Sequence, residues 1–215
     1  GGTVDVDHLL VFNQKDDAID IDQDYSGTIT NAYVAMGADS DNVFEIDGNE
    51  KTNTTEADTI AHAVTNVTAY QEFDNSSKLD QYGHWKDFAK GTYTNVVYKG
   101  FAAGTRVESV DNDTDMTFVN FDFVTSDALS AITSDTDLTA AAEVISAQAS
   151  GTGADESAFD GWTAYDFVKE TLSYFHDYKN LPTLEVFKVK IQKITNELLK
   201  KSIIDTLRVV YKKLN

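Results

Sequence analysis

A six-residue pattern, reading apolar, any residue, His or Asn, apolar, any residue, apolar, occurs five times within the first 123 residues. Its copies begin at Val6, Ile29, Val64, Tyr93 and Phe118, and are centred on His8, Asn31, Asn66, Asn95 and Asn120 at intervals of 23, 35, 29 and 25 residues. A constant centre at a variable interval is the mark of a solenoid whose turns share a strand and differ in their loops. Apolar residues separated by one position face the same side of a strand, so the His or Asn interrupts the alternation and marks a bend. Stacked in parallel about 4.8 Å apart, the asparagine side chains come within hydrogen-bonding reach, which offsets the cost of burying them. The expectation is a mainly β chain wound as a right-handed parallel β-helix, with His8, Asn31, Asn66, Asn95 and Asn120 as a structural ladder. The competing fold is an antiparallel sandwich with turn asparagines at similar intervals.

A second strand follows in the early turns. Ala18 to Asp22 and Val43 to Asp47 alternate strictly, and Arg106 to Val110 does so more weakly. The alternation predicts Ile19 and Ile21 inward over Phe44 and Ile46, with Asp20 stacked on Glu45 and Asp22 on Asp47 outside. Like charges at one strand spacing repel by about 1 kcal/mol per pair in water, so such columns need water, cations or protons.

Charge narrows the partners. The chain of 215 residues carries a formal net charge of −19 with a pI near 4.3, which excludes nucleic acid and opposes anionic lipid. Neutral or cationic partners fit better. Without cysteine there is no disulfide, thiolate metal site or catalytic thiol. No apolar run is long enough to read as a membrane-spanning helix. Gly1 is expected to begin a processed or excised segment.

The densest chemical signal is acidic. Asp16, Asp17, Asp20, Asp22 and Asp24, with Asp39, Asp41, Glu45 and Asp47 one turn on, offer oxygen ligands suited to calcium, a hard cation that takes six to eight oxygens. The predicted metal residues are Asp16, Asp17, Asp20, Asp22, Asp24, Glu45 and Asp47; a solvated acidic face is the alternative. The histidines at 8, 62, 84 and 176 lack the spacing of a helical metal pair. No nucleophile elbow or phosphate loop occurs. Tyr82, His84, Trp85 and Phe88 read as an insertion between turns, either an aromatic platform for sugar rings or a hydrophobic satellite under a loop.

The stretch Phe12 to Gln23, followed by Tyr25-Ser26-Gly27-Thr28-Ile29-Thr30-Asn31 and then Phe44-Glu45-Ile46-Asp47-Gly48, resembles a group of secreted or surface-anchored right-handed β-helix proteins of Bacteroidetes. The likeness covers about residues 1–130. It implies a pectate-lyase-like coil and an extracellular or outer-membrane-surface location, and it implies no activity. Asp16-Asp17-Ala18-Ile19 also looks like the paired aspartates of polygalacturonase-type hydrolases, where two carboxylates serve as acid and base. The His-Gly pair and Arg-Ile-Lys segment of that pattern are missing. For a calcium-assisted lyase the candidate bases are Lys15, Lys99 and Arg106.

The C-terminal part is of another kind. Residues 180–215 hold eight Lys/Arg against three Asp/Glu, whereas residues 1–179 hold nine against 33. Tyr165, Val168, Leu172 and Phe175, then Leu184, Phe187, Ile191, Ile194 and Leu198 after Pro182, repeat at helical spacing. The expected organisation is a β-helix over 1–135, an irregular linker or last coil over 136–161, and a helical hairpin or cap over 162–215 that packs on the solenoid or on another chain. The functional expectation is an extracellular or cell-surface non-catalytic β-helix for binding, adhesion or scaffolding, with polysaccharide or a surface protein as partner and calcium as cofactor; the alternative is a polysaccharide lyase or hydrolase.

Overall fold

The computed structural model describes residues 2–23, 25–48, 61–73, 75, 77–159 and 163. Apart from residue 163, the segment 162–215 in which C-terminal helices are expected lies outside the described residues, as does Asp24.

The chain winds as a parallel β-helix of about five turns. Its long strands are β1 (Val6–Phe12), β3 (Thr28–Met36), β5 (His62–Gln71), β7 (Lys90–Lys99) and β9 (Asp115–Val124), and its short ones are β2 (Ile19–Ile21), β4 (Phe44–Asp47), β6 (His84–Lys86) and β8 (Ser109–Val110). The long strands, with β10 (Ala142–Ile145), form one sheet in the order β1-β3-β5-β7-β9-β10; the short ones form another in the order β2-β4-β6-β8. Every pairing is parallel, so the antiparallel sandwich is excluded.

The central His or Asn of each copy is the corner of its turn. His8, Asn31, Asn66, Asn95 and Asn120 all have φ between 57 and 63°, the left-handed region that asparagine tolerates better than other side chains. The left-handed residue resets the alternation, so the residues two before and one after it both face the interior. In register, Ile29, Val64, Tyr93 and Phe118 stack as one inward column, and Ala32, Val67, Val96 and Phe121 as the next; all eight are buried.

The short sheet closes the core from the other side. Ile19 lies beside Phe44, and Ile21, Ile46, Trp85 and Val110 stack in register. Trp85 is fully buried, with Phe44, Tyr93 and Phe118 around it at ring-centroid distances of 5.9, 5.7 and 5.1 Å. Residues 84–86 are therefore a strand of the third turn, which corrects the reading of Tyr82, His84, Trp85 and Phe88 as an insertion. Tyr82 is also buried, against Tyr98 and Phe123, and joins the main core, neither platform nor satellite. After β9, the short helices α1 (Leu129–Ile132) and α2 (Thr136–Ala141) bring Ile132 and Leu138 into the same core. They are followed by β10 within the segment expected to be a linker or last coil.

Candidate functional site: an acid-lined flank beside the short sheet

Strand alternation that buries Ile19, Ile21, Phe44 and Ile46 turns their neighbours outward. The outward column runs Asp20, Glu45, His84, Ser109, and beside it Asp47 pairs in register with Lys86. The preceding turns add Asp16, Asp17 and Asp41. Two groups result: the carboxylate oxygens of Asp16, Asp17 and Asp41 all lie within 4.8 Å of one another, and so do those of Asp20, Glu45 and Asp47. Five of the predicted metal residues, joined by Asp41, are thus placed on one flank, divided between two clusters. Asp22 is exposed at the end of β2 and belongs to neither cluster.

The repulsion expected of such columns is met from within the chain. Lys86 Nζ lies 2.9 Å from Glu45 Oε1 and 3.3 Å from Asp47 Oδ1, and Lys78 Nζ lies 2.5 Å from Asp41 Oδ2. A proton does the rest. Burial, a hydrogen bond with Glu45 and the nearby Glu45 and Asp41 charges push Asp17 up to about 7, against a donated bond from the Asn42 N–H at 2.8 Å. Glu45 is held below its ordinary value by its hydrogen bonds with Lys86 and Asp17. Asp17 thus keeps its proton well above the ordinary carboxylate range, beside a Glu45 that ionises more readily than usual. Burial also pushes Asp47 up to about 6 despite Lys86, and raises Asp20 together with the Glu45, Asp22 and Asp16 charges. Lys86 is raised overall: burial works against its charge, and the Glu45 and Asp47 carboxylates outweigh it.

On its far side the flank continues through Asn42, whose Nδ2 donates to Glu108 Oε2 at 3.1 Å, and through His84, whose Nδ1 lies 3.7 Å from Glu108 Oε1. The sequence reading missed Lys86 because the third turn was not recognised as a strand. The signal was present: His84-Trp85-Lys86 alternates as Glu45-Ile46-Asp47 does.

As a calcium site the two clusters differ. Asp16, Asp17 and Asp41 supply the hard oxygens that calcium prefers, although Lys78 and the Asp17 proton already temper their charge. The Asp20, Glu45 and Asp47 group holds the Lys86 ammonium where a cation would sit. Two of the proposed lyase bases are engaged elsewhere: Arg106 pairs with Asp80, and Lys99 Nζ donates to Gln148 Oε1 at 2.8 Å and Glu156 Oε1 at 3.3 Å.

The ladder lies on the long sheet. Asn120 Nδ2 donates to Asn95 Oδ1 at 3.0 Å, and Asn95 Nδ2 to Asn66 Oδ1 at 2.8 Å. Asn31 turns instead to residue 155, and His8 sits 3.1 Å from Asp7 and edge-on to Phe159.

A stacked parallel coil with a carboxyl-rich flank on its short sheet defines the class, a parallel β-helix protein. Residues 1–165 match the family model described as a pectate-lyase like beta helix domain, and the chain belongs to that family. No curated protein and no solved structure matches the chain.

Proposed function

We propose that this chain is an extracellular carbohydrate-binding β-helix without catalytic activity, which offers the outward face of the short sheet to a neutral polysaccharide in adhesion or scaffolding. The reading rests on one observation, the column of hydrogen-bonding groups Asp20, Glu45 and His84 flanked by Asp47 and Lys86, in a chain of the pectate-lyase-like family. Carboxylates accept from sugar hydroxyls and Lys86 donates to them. Strand stacking repeats these groups about every 4.8 Å, and repetition of this kind suits an extended polymer. The negative flank disfavours uronate chains unless a cation intervenes. Calcium is proposed at Asp16, Asp17 and Asp41, as a stiffening ion between the first two turns.

A glycan array of neutral and uronate polysaccharides, run with and without calcium, tests this reading. Neutral polymers are expected to be retained, with signal reduced at least tenfold by Asp20→Asn combined with Glu45→Gln. Equal retention by that folded variant would remove the flank as the binding face.

The second reading, polysaccharide cleavage, is favoured by Asp17 keeping a proton near neutral pH beside the Glu45 carboxylate, as a general acid must. Spacing places it second. Glycosidase carboxyl pairs stand roughly 5–9.5 Å apart to admit substrate or water, whereas Asp17 and Glu45 hydrogen-bond directly. Reducing-sugar and unsaturated-uronate screens decide: turnover abolished by Asp17→Asn would replace the first reading.

A further inference from the structure

Away from the acid-lined flank, residues 148–159 run as a strap over the outer side of the long sheet, beside the ladder. The strap is held by side chains that grip its main chain. Asn95 Oδ1 accepts from Gly153 N at 3.0 Å while its Nδ2 donates to Gly153 O at 3.3 Å. Asn31 does the same to residue 155, accepting from Asp155 N at 2.5 Å and donating to Asp155 O at 3.2 Å. Between them, Thr68 Oγ1 accepts from Ala154 N at 2.9 Å. Three consecutive strap residues thus meet three consecutive turns of the coil.

Both clamps read only peptide N–H and C=O groups, which every residue carries. Selectivity comes from space. A Cβ at Gly153 would stand 2.4 Å from Thr68 Oγ1, and the residue has φ of +75°, so this position admits glycine. Ala154 is buried, which limits the middle position to a small side chain. Asp155 is exposed, and its carboxylate accepts from Ser157 N and Oγ.

The contact is made at points and is not sealed. A cleft of about 600 Å³ remains between the strap and the column at Asn66 and Asn95. Asn66 makes no bond to the strap among the described residues, although it lines that cleft. Upstream, Gly151 has φ of +85° and nothing within 4 Å of a Cβ position, which makes it an unpacked pivot. The column itself continues to an exposed Asn120.

We propose that the asparagine column is a binding track for extended peptide main chain of the Gly-Ala-Asp type, and that the strap is its resident occupant. The ladder bonds prepare it: Asn95 Oδ1 accepts from both Asn120 and Gly153, and its Nδ2 donates to both Asn66 and Gly153. The amides are thereby oriented for an incoming peptide unit before it arrives.

The test uses a fluorescent synthetic peptide covering residues 148–159 and the full chain carrying Gly153→Val, which dislodges the resident strap. Saturable anisotropy binding is expected, weakened at least tenfold when Asn31→Ala and Asn95→Ala are added. The same peptide with valine at position 153 is expected not to compete. Absence of saturable binding to a variant whose near-ultraviolet dichroism shows the Trp85 core intact overturns the proposal, as does binding indifferent to the two asparagines. Should the valine variant fail to fold, the wild-type chain is mixed with unlabelled peptide and hydrogen exchange is read at Gly153, Ala154 and Asp155. Exchange that accelerates with peptide concentration supports the track, and exchange independent of it overturns the track.

Discussion

At the scale of single residues, asparagine at the corners has two separable tasks: it adopts φ near +60° and it supplies amides to the ladder. Asn95 makes four such bonds, two along the ladder and two to the strap, whereas Asn120 makes one and is exposed. Net contributions of about 1 kcal/mol per hydrogen bond predict that Asn95→Gly, which keeps the left-handed turn, costs about 2–4 kcal/mol. Asn120→Gly is expected to cost about 1 kcal/mol or less on the same basis; urea unfolding of the two variants checks the difference. Two titrating residues oppose each other. Asp17, raised to about 7 from an ordinary 3.8, adds stability that is complete below about pH 4 and is lost as pH rises through 7; Asp47, raised to about 6, acts in the same direction. Burial holds His62 down to about 4, with its ring against Gly91 and Nε2 2.9 Å from the Tyr93 hydroxyl. Its contribution is complete above pH 6.5 and is lost as pH falls through 4. The two carboxyls outweigh the histidine over the window they share, so urea midpoints are expected to fall between about pH 4 and 7. Asp17→Asn is expected to flatten that fall, because the remaining Asp47 and His62 contributions run in opposite directions over nearly the same pH range.

Among the elements, the short strands carry more than their length suggests. Strand β6 has three residues, yet Trp85 within it contacts Phe44, Tyr93 and Phe118 from three other strands. Trp85→Ala is expected to cost about 3–5 kcal/mol, measured by the same unfolding assay. The helix α2 is a smaller case: Asp135 Oδ1 caps it by accepting from Leu138 N at 2.7 Å, a contact worth about 1 kcal/mol. The alternation of β2 and β4, and the pairing of Asp20 with Glu45, were legible because both strands are bounded, strictly alternating and close to the repeat. Strand β6 was not, because its flanking turns are rich in aromatic residues that equally suit a loop cluster. Its partner β8 is only Ser109–Val110, shorter than the Arg106 to Val110 alternation predicts, although Arg106 still bridges Asp80.

For the whole molecule, the net charge of −19 predicts stabilisation by salt, since screening weakens repulsion among exposed carboxylates. Calcium tests something narrower. If Asp16, Asp17 and Asp41 coordinate it, calcium chloride is expected to raise the thermal midpoint beyond sodium chloride of equal ionic strength, and Asp16→Asn with Asp41→Asn is expected to abolish that excess; equal midpoints in the two salts would dispose of the site. The amino-acid sequence alone determined the coil, its corners, the inward columns of the early turns and the crowding of carboxylates on one flank, because those follow from a period of two, a residue that tolerates left-handed backbone, and identical spacing in successive turns. Tertiary structure alone decided that Lys86 and the raised Asp17 carboxyl temper the charge of the flank, that six acids divide into two clusters, and that residues 148–159 return over the ladder. Those contacts reach along the chain by 24 positions between Asp17 and Asp41 and by 124 between Asn31 and Asp155, and no local periodicity encodes which turn a side chain will meet.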